Sequence, residues 1–327
     1  MICAIIDSGL KEKYISNKRI IGTKCFYFEN DEIKESNKII DEDGHGSACF
    51  HMLNKYTTNC EFFIIKILKN GNADIRLLLA ALNYCLKIDC DIINLSLSAY
   101  YKNSSVDKID NIIRLISNKD IIIVASYPNN DMDGYPASSS EVIGVKGILS
   151  DDCNYYHANR LDNGKIILYF SLLPEVTARD NGKYYLFGGN SKATVLATAK
   201  IISILNESNA TSLDTVFDIS KQKVIKNRNL DRSFDHFEKF ITDNIILSKS
   251  HIKVLNILYE LSNHNVDVHD NLIKLNIISP SNILELVTRL EYEFNIRIDD
   301  DKIKFSDFVS VDNIVKLVNS DDKLSIY

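Results

Sequence analysis

The chain has 327 residues, of which 45% are hydrophobic and 25% charged, with a formal net charge of -6. That length suits two domains of unequal size better than one core. No apolar run approaches the roughly 18 residues that a membrane span needs, and no basic cluster offers nucleic acid a surface, so peptide is the better substrate class.

Seven cysteines, an odd number without close pairs at metal-ligand spacing, fit reduced thiols in a core better than a disulfide framework or a zinc site. No cofactor and no metal is expected. The start, Met1-Ile2-Cys3-Ala4, lacks the basic stretch of a signal peptide, and a cytoplasmic protein is expected.

Taken in chain order, Cys3-Ala4-Ile5-Ile6-Asp7-Ser8-Gly9 reads as a short buried strand that ends on a carboxylate and a turn. In Asp41-Glu42-Asp43-Gly44-His45-Gly46-Ser47-Ala48, two glycines let the backbone turn tightly on both sides of an imidazole, and small residues then open an apolar helix. Phe62 to Ile67 reads as a strand, Asp74 to Lys87 as a helix, and Ile92 to Leu97 and Ile121 to Ala125 as further strands. Phe187-Gly188-Gly189-Asn190-Ser191 is a glycine-rich turn that runs into a helix reaching about Leu205, with the serine on its first turn. This alternation predicts an α/β fold, a parallel sheet with helices on both faces. In such sheets sites gather at the C-terminal strand ends, where Asp7 and the Asn129 turn both fall.

Asp-Ser-Gly at 7–9, Gly-His-Gly-Ser at 44–47 and Gly-Asn-Ser-x-Ala at 189–193 resemble, in that order, the three signatures of the subtilisin-like serine proteases. Asp91-Ile92-Ile93-Asn94-Leu95-Ser96-Leu97-Ser98 is similar to the family's substrate-lining strand, and Ile121 to Asn129 to the strand and turn that deliver an oxyanion-hole asparagine. Tyr135-Pro136-Ala137-Ser138 and Val142-Ile143-Gly144-Val145 resemble the next loop and strand. The resemblance covers roughly residues 1 to 210. It implies Asp7, His45 and Ser191 as a catalytic triad, Asn129 as the oxyanion donor with Asn130 as the alternative, and Ser96, Leu97, Ser98, Ser126 and Tyr127 as substrate-binding residues. Three positions depart from the family pattern: Val195 replaces a proline, Ser98 a cleft-lining glycine, and Ser126-Tyr127-Pro128 an Ala-Ala-Gly. The added bulk implies a narrow or altered side-chain pocket and restricted cleavage. The segment that usually precedes the aspartate strand, and a folding propeptide, are both expected to be lacking.

The domain boundaries expected are 1–215 for the protease domain, 216–234 for a linker and 235–327 for a small all-α domain. The linker is polar and basic, with Lys221-Gln222-Lys223 and Lys226-Asn227-Arg228-Asn229. Beyond it the pattern is helical: Ile252, Leu255, Leu258 and Tyr259 mark one apolar face, Ile283, Leu286, Val287, Leu290 and Phe294 another, and Val311 to Val318 a last helix. Roughly residues 250 to 320 resemble acyl carrier proteins. Their serine, which carries phosphopantetheine after an acidic residue, is replaced by Asn276-Ile277-Ile278-Ser279-Pro280-Ser281-Asn282. With Ile278 before Ser279 and Pro280 stiffening the turn, Ser279 and Ser281 read as helix caps. The expected role is docking, with Asp299-Asp300-Asp301 on an acidic surface.

Both resemblances occur together in bacterial systems that mature ribosomally made peptides such as bacteriocins. They imply an intracellular leader peptidase whose partners are a precursor peptide and another maturation enzyme. Two alternatives stay open: a pseudoprotease scaffold that binds peptide without cutting it, and a ligase or macrocyclase that resolves the acyl-enzyme with an amine.

Overall fold

In the computed structural model of the protein, the described residues are 1–72, 74–100, 103–129, 133–150, 152–180, 183–208, 217–218, 241, 245–279, 282–299, 303–320 and 324–325. Asn130, nearly all of the linker, Pro280, Ser281, Asp300 and Asp301 lie outside them. The chain divides into two compact units, Met1–Leu172 with Gly189–Asn227, and Leu173–Gly188 with Arg228–Tyr327.

The first unit is built on β1 (Ile2–Asp7), β2 (Ile20–Glu29), β3 (Glu32–Ser36), β4 (Glu61–Lys66), β5 (Ile92–Leu95), β6 (Ile122–Ser126), β7 (Ile143–Ile148), β8 (Tyr156–Arg160) and β9 (Ile166–Ser171). They form one sheet in the order β3-β2-β4-β1-β5-β6-β7-β9-β8. The central strands are parallel, and β3 and β8 close the two edges antiparallel to β2 and β9. Central strands such as β1 and β6 carry apolar runs, Cys3–Ile6 and Ile122–Ala125, because they are covered on both faces.

Around the sheet lie α1 (Glu12–Ile15), α2 (His45–Tyr56), α3 (Ile75–Cys85), α4 (Asn103–Ser117) and α5 (Gly189–Glu207). Asp74 caps α3 by accepting from the Arg76 amide, so the helix starts where its sequence predicts. One core layer joins Leu77, Leu78 and Leu82 of α3 and Ile109, Ile113 and Ile116 of α4 to Ile93, Ile123 and Ala125 of the sheet. The middle of α5, from Lys192 to Ala199, is buried without a break. This matches a helix packed into the protein on all sides rather than an amphipathic surface helix.

The second unit holds the hairpin β10 (Glu175–Asp180) and β11 (Lys183–Phe187), then α6 (Lys249–Ser262), α7 (Ile283–Phe294), a 3-10 turn at Phe305–Phe308, and α8 (Val311–Asn319). Strands β12 (Ile296–Arg297) and β13 (Leu324–Ser325) pair antiparallel, so this region is not purely helical.

The inward face of α6 is offset by one residue from the apolar stripe read in the sequence. His251, Val254, Ile257 and Leu258 are buried, while Ile252 and Tyr259 are 56% and 49% exposed. The cause is a capping box: Ser248 accepts from the His251 amide while the His251 ring accepts from the Ser248 amide. The Nδ1 of His251 is bonded in this way at an inner position, while its Nε2 faces Asp312 Oδ1 at 3.4 Å. Helix α7 starts at Ile283 with Asn282 as its N-cap, and the Ser279 carbonyl accepts from the Asn282 and Ile283 amides.

Candidate active site

Asp7 is the last residue of β1, at the C-terminal edge of the sheet, and is 1% exposed. Its backbone carbonyl accepts from the Ile67 and Leu68 amides, which fixes the strand end. Its Oδ1 accepts from the Ser8 amide at 2.7 Å and bonds His45 Nδ1 at 2.8 Å. His45 opens α2, and Cys49, one turn further on the same face, donates its thiol to Asp7 Oδ2 at 3.5 Å.

The Asp7 carboxylate raises the His45 pKa well above its ordinary 6.5, with burial pulling the other way. Burial, and then Asp7, push the Cys49 thiol up to about 11, so it stays a proton donor at neutral pH. A proton on Nδ1 facing Asp7 leaves Nε2 as the basic nitrogen. The donor atoms of Asp7, His45 and Cys49 lie within 4.8 Å of one another. A soft cation that displaced the thiol proton could reach all three, but only by replacing the Asp7–His45 bond.

The turn that carries His45 is cast around Asp41, a buried carboxylate with five bonds. Oδ1 accepts from Ser8 Oγ (2.9 Å), the Asp43 amide (3.1 Å) and the Gly44 amide (2.8 Å). Oδ2 accepts from the Ser47 amide (2.9 Å) and hydroxyl (2.6 Å). Burial works to raise the Asp41 pKa, but the bonds from Ser47, Gly44 and Ser8 outweigh it and hold the carboxyl below its usual range. Ser8 Oγ also accepts from the Gly46 amide at 2.8 Å, so the residue after Asp7 is tied to the residue after His45. Gly46 is required here, since a Cβ would stand 2.5 Å from the Gly9 carbonyl oxygen.

A second cluster forms at the head of α5. The Ser191 hydroxyl donates to the Ser96 carbonyl at 3.2 Å, and the Ser96 hydroxyl donates back to the Ser191 carbonyl at 3.3 Å. Asn94 on β5 donates to the Ser96 hydroxyl and accepts from Thr198 of α5, so strand end and helix are bolted together by buried side chains. Asn190 is 4% exposed and fully used: its NH2 donates to the Tyr127 and Pro128 carbonyls, both at 2.9 Å, and its Oδ1 accepts from the Gly147 amide at 2.7 Å.

The backbone N–H of Asn190 donates to Asn129 Oδ1 at 3.0 Å, which turns the Asn129 oxygen toward the helix and leaves its NH2 for an incoming oxygen. Gly189, with φ +71°, permits this approach, because its missing Cβ would lie 3.2 Å from Asn129 Oδ1. Among the expected substrate-binding residues, Leu97 and Ser98 are half-buried and Ser96, Ser126 and Tyr127 buried. Ser126 Oγ donates to the Tyr127 carbonyl at 2.9 Å, and further along this segment Pro128 is half-buried and Asn129 exposed.

Three buried polar residues have partners that no motif announces. Asp41 and Asn190 act through bonds to backbone amides and carbonyls, many from distant segments; only the spacing of Asp41 to the Asp43 and Gly44 amides is a legible turn signal. The third is Lys165, just before β9 and 2% exposed, whose ammonium donates to the Ser139 carbonyl at 2.7 Å and to the Val142 carbonyl. Burial lowers its pKa to about 7.

A nine-stranded, mainly parallel sheet with helices around it, ending at a buried carboxylate bonded to a histidine at a helix head, is a subtilisin-like fold. The chain belongs to the subtilase family of serine peptidases (peptidase S8), whose model matches residues 1–237. Similar solved structures include a lanthipeptide protease (TM-score 0.55, 14% identity, 70% of this chain and 81% of that one). Another is the nisin leader peptidase NisP from Lactococcus lactis (TM-score 0.51, 15% identity, 66% and 80%). A third is the epidermin leader peptide processing serine protease EpiP from Staphylococcus aureus (TM-score 0.56, 15% identity, 71% of each chain). No curated protein sequence matches the chain. No helix among the described residues is long and apolar enough to cross a membrane.

Proposed function

We propose that this subtilase is a leader peptidase that cuts a ribosomally made, modified precursor peptide, with Ser191 as nucleophile, His45 as general base and Asp7 holding the imidazole. The observation that carries the reading is the 2.8 Å bond from Asp7 to His45 Nδ1, which orients the ring with Nε2 as its basic nitrogen. The Ser191 hydroxyl donates to the Ser96 carbonyl in this structure, and attack requires it to turn from that carbonyl to the imidazole Nε2. On attack, the serine oxygen bonds the peptide carbonyl carbon, His45 takes the serine proton and later gives it to the leaving amine, and water then releases the acyl group.

The oxyanion meets the Asn129 amide and the Ser191 backbone N–H. A donor of this kind is worth about 2.7 to 4 kcal/mol, a magnitude established on subtilisin itself. The leader-peptidase reading draws support from two of the similar structures, the nisin leader peptidase and the epidermin leader peptide processing protease.

We assign residues 235–327 a docking role, without a phosphopantetheine arm, for the precursor or a second maturation enzyme. Ser279 is engaged in the turn before α7, its amide donating to Asn282 Oδ1 at 2.9 Å, while Asn282 rather than Ser279 is the helix N-cap. Co-expression with a broad-specificity phosphopantetheinyl transferase should leave the intact mass unchanged. The function itself is tested by incubating the full chain with candidate precursors and reading products by mass spectrometry. A single cut between leader and core, absent in Ser191→Ala, supports it; digestion of casein and other unfolded proteins at many sites contradicts it.

A further inference from the structure

Two walls flank the space beside Ser191. One is the segment that follows Ser96, whose carbonyl takes the Ser191 hydroxyl. The other is the segment that ends on Asn129. A peptide whose carbonyl carbon faces Ser191 and whose oxygen faces Asn129 must send the side chain on the acyl side of the scissile bond between these segments. Gly134 lies against both segments, and the Cβ it lacks would stand 2.4 Å from Ser98 Oγ and 2.6 Å from Pro128 Cγ. Both atoms are that close to a single point, so they are no more than about 5 Å apart. A carbon lying between them needs two contacts of about 3.5–4.0 Å each, hence a gap near 7 Å.

The walls are not free to part. Ala99 and Tyr135 exchange both backbone hydrogen bonds, at 3.0 and 2.9 Å, and Ser98 Oγ donates to the Tyr135 carbonyl at 3.4 Å. On the other side the Pro128 carbonyl is held by Asn190 Nδ2, and the Tyr127 amide donates to the Val145 carbonyl at 2.9 Å. Proline adds a ring that cannot swing away by a side-chain rotation.

We infer that Ser98 and Pro128 close this space over Gly134, so that the substrate residue whose carbonyl is attacked is glycine or alanine. A methyl group stops at the mouth of the space. A leucine, phenylalanine or lysine side chain would have to pass between atoms that leave no room for one carbon. This rests on the peptidase reading above and narrows its substrate class from a peptide to a peptide cut after a residue with at most a methyl side chain.

The test uses the full chain and peptidyl diphenyl phosphonates that differ only in the acyl-side residue, alanine, leucine or phenylalanine, with labelling of Ser191 followed by intact mass. The alanine probe should react about 100-fold faster than either larger one, the scale of discrimination that pocket size achieves. The Ser98→Gly, Pro128→Gly double variant should narrow that ratio about tenfold, because it removes both closing groups. Equal rates for the three probes, or a ratio unmoved in the double variant, overturn the inference. A small alkyl fluorophosphonate, which has no such side chain, reports the peptidase reading separately. If it labels Ser191 while the probes do not discriminate, only the inference falls; if it labels nothing, both fall.

Discussion

Replacing Asp41 with alanine tests whether the turn that carries His45 is held by that carboxylate. The structure gives Asp41 five accepted hydrogen bonds and 2% exposure. The Asp43 amide lies near the surface and regains water, while the Gly44 and Ser47 amides and the Ser8 and Ser47 hydroxyls are left short of a partner. At about 1 kcal/mol for each of these four, Asp41→Ala should cost about 4 kcal/mol. For a unit of this size that corresponds to a fall in Tm of roughly 8–16 °C.

The bonds lower the Asp41 pKa. Their stabilisation is therefore present above the carboxyl's unfolded pKa and lost as pH falls through the folded one, and the variant should lose that part of the acid dependence. Thermal unfolding by circular dichroism across pH 3 to 7 reads both effects. Fluorophosphonate labelling of Ser191 should slow as well, since the loosened turn misplaces the imidazole. A loss under about 1 kcal/mol with an unchanged acid limb would refute the reasoning, because five charge-assisted bonds in a buried setting cannot be removed for so little.

Three further outcomes follow from the geometry. Asn129→Ala should cut peptide cleavage by about 10²- to 10³-fold with little change in Tm, the size found for a lost oxyanion donor; a change under threefold would remove Asn129 from the mechanism. Because Asp7 raises the His45 pKa, the imidazole keeps its proton to higher pH, so the labelling rate of Ser191 should climb with pH through a midpoint above 7. Asp7→Asn should bring that midpoint down toward 6.5 and slow labelling about 10⁴-fold; an unmoved midpoint would separate Asp7 from the base. Lys165 has a folded pKa near 7 against an ordinary 10.5, so the unfolded chain binds more protons between those values and stability should rise with pH across that window, by a few kcal/mol at most. Lys165→Met should flatten that rise, and urea unfolding at pH 7, 8.5 and 10 measures it; a variant as pH-dependent as the wild type would contradict the assignment.

The parts of this fold that declare themselves in the sequence are those where burial on both faces imposes an apolar run. Cys3 to Ile6 and Ile122 to Ala125 announce central parallel strands, and Asp7 stands out because a carboxylate at the end of such a run is costly without a partner. The edge strands β3 and β8 and the hairpin at 175–187 carry no such run, and the hairpin's grouping with the C-terminal unit depends on contacts far apart in the chain. The face of α6 departs from the apolar stripe for a local reason, since pattern reading assigns histidine to the outside and the capping box puts His251 inside. At the site, motif spacing points to His45, Ser191 and Asn129, whereas Asp41 and Asn190 are visible only once their backbone partners are located.

The central claim is that Ser191 is a nucleophile activated by His45, which Asp7 orients. The most direct measurement is fluorophosphonate labelling of the wild type, Ser191→Ala, His45→Ala and Asp7→Asn, followed by intact mass and peptide mapping. The account predicts one adduct, on Ser191, in the wild type, none in Ser191→Ala or His45→Ala, and a strongly slowed reaction in Asp7→Asn. An adduct on another residue, or labelling of Ser191 at an unchanged rate in His45→Ala, would contradict it.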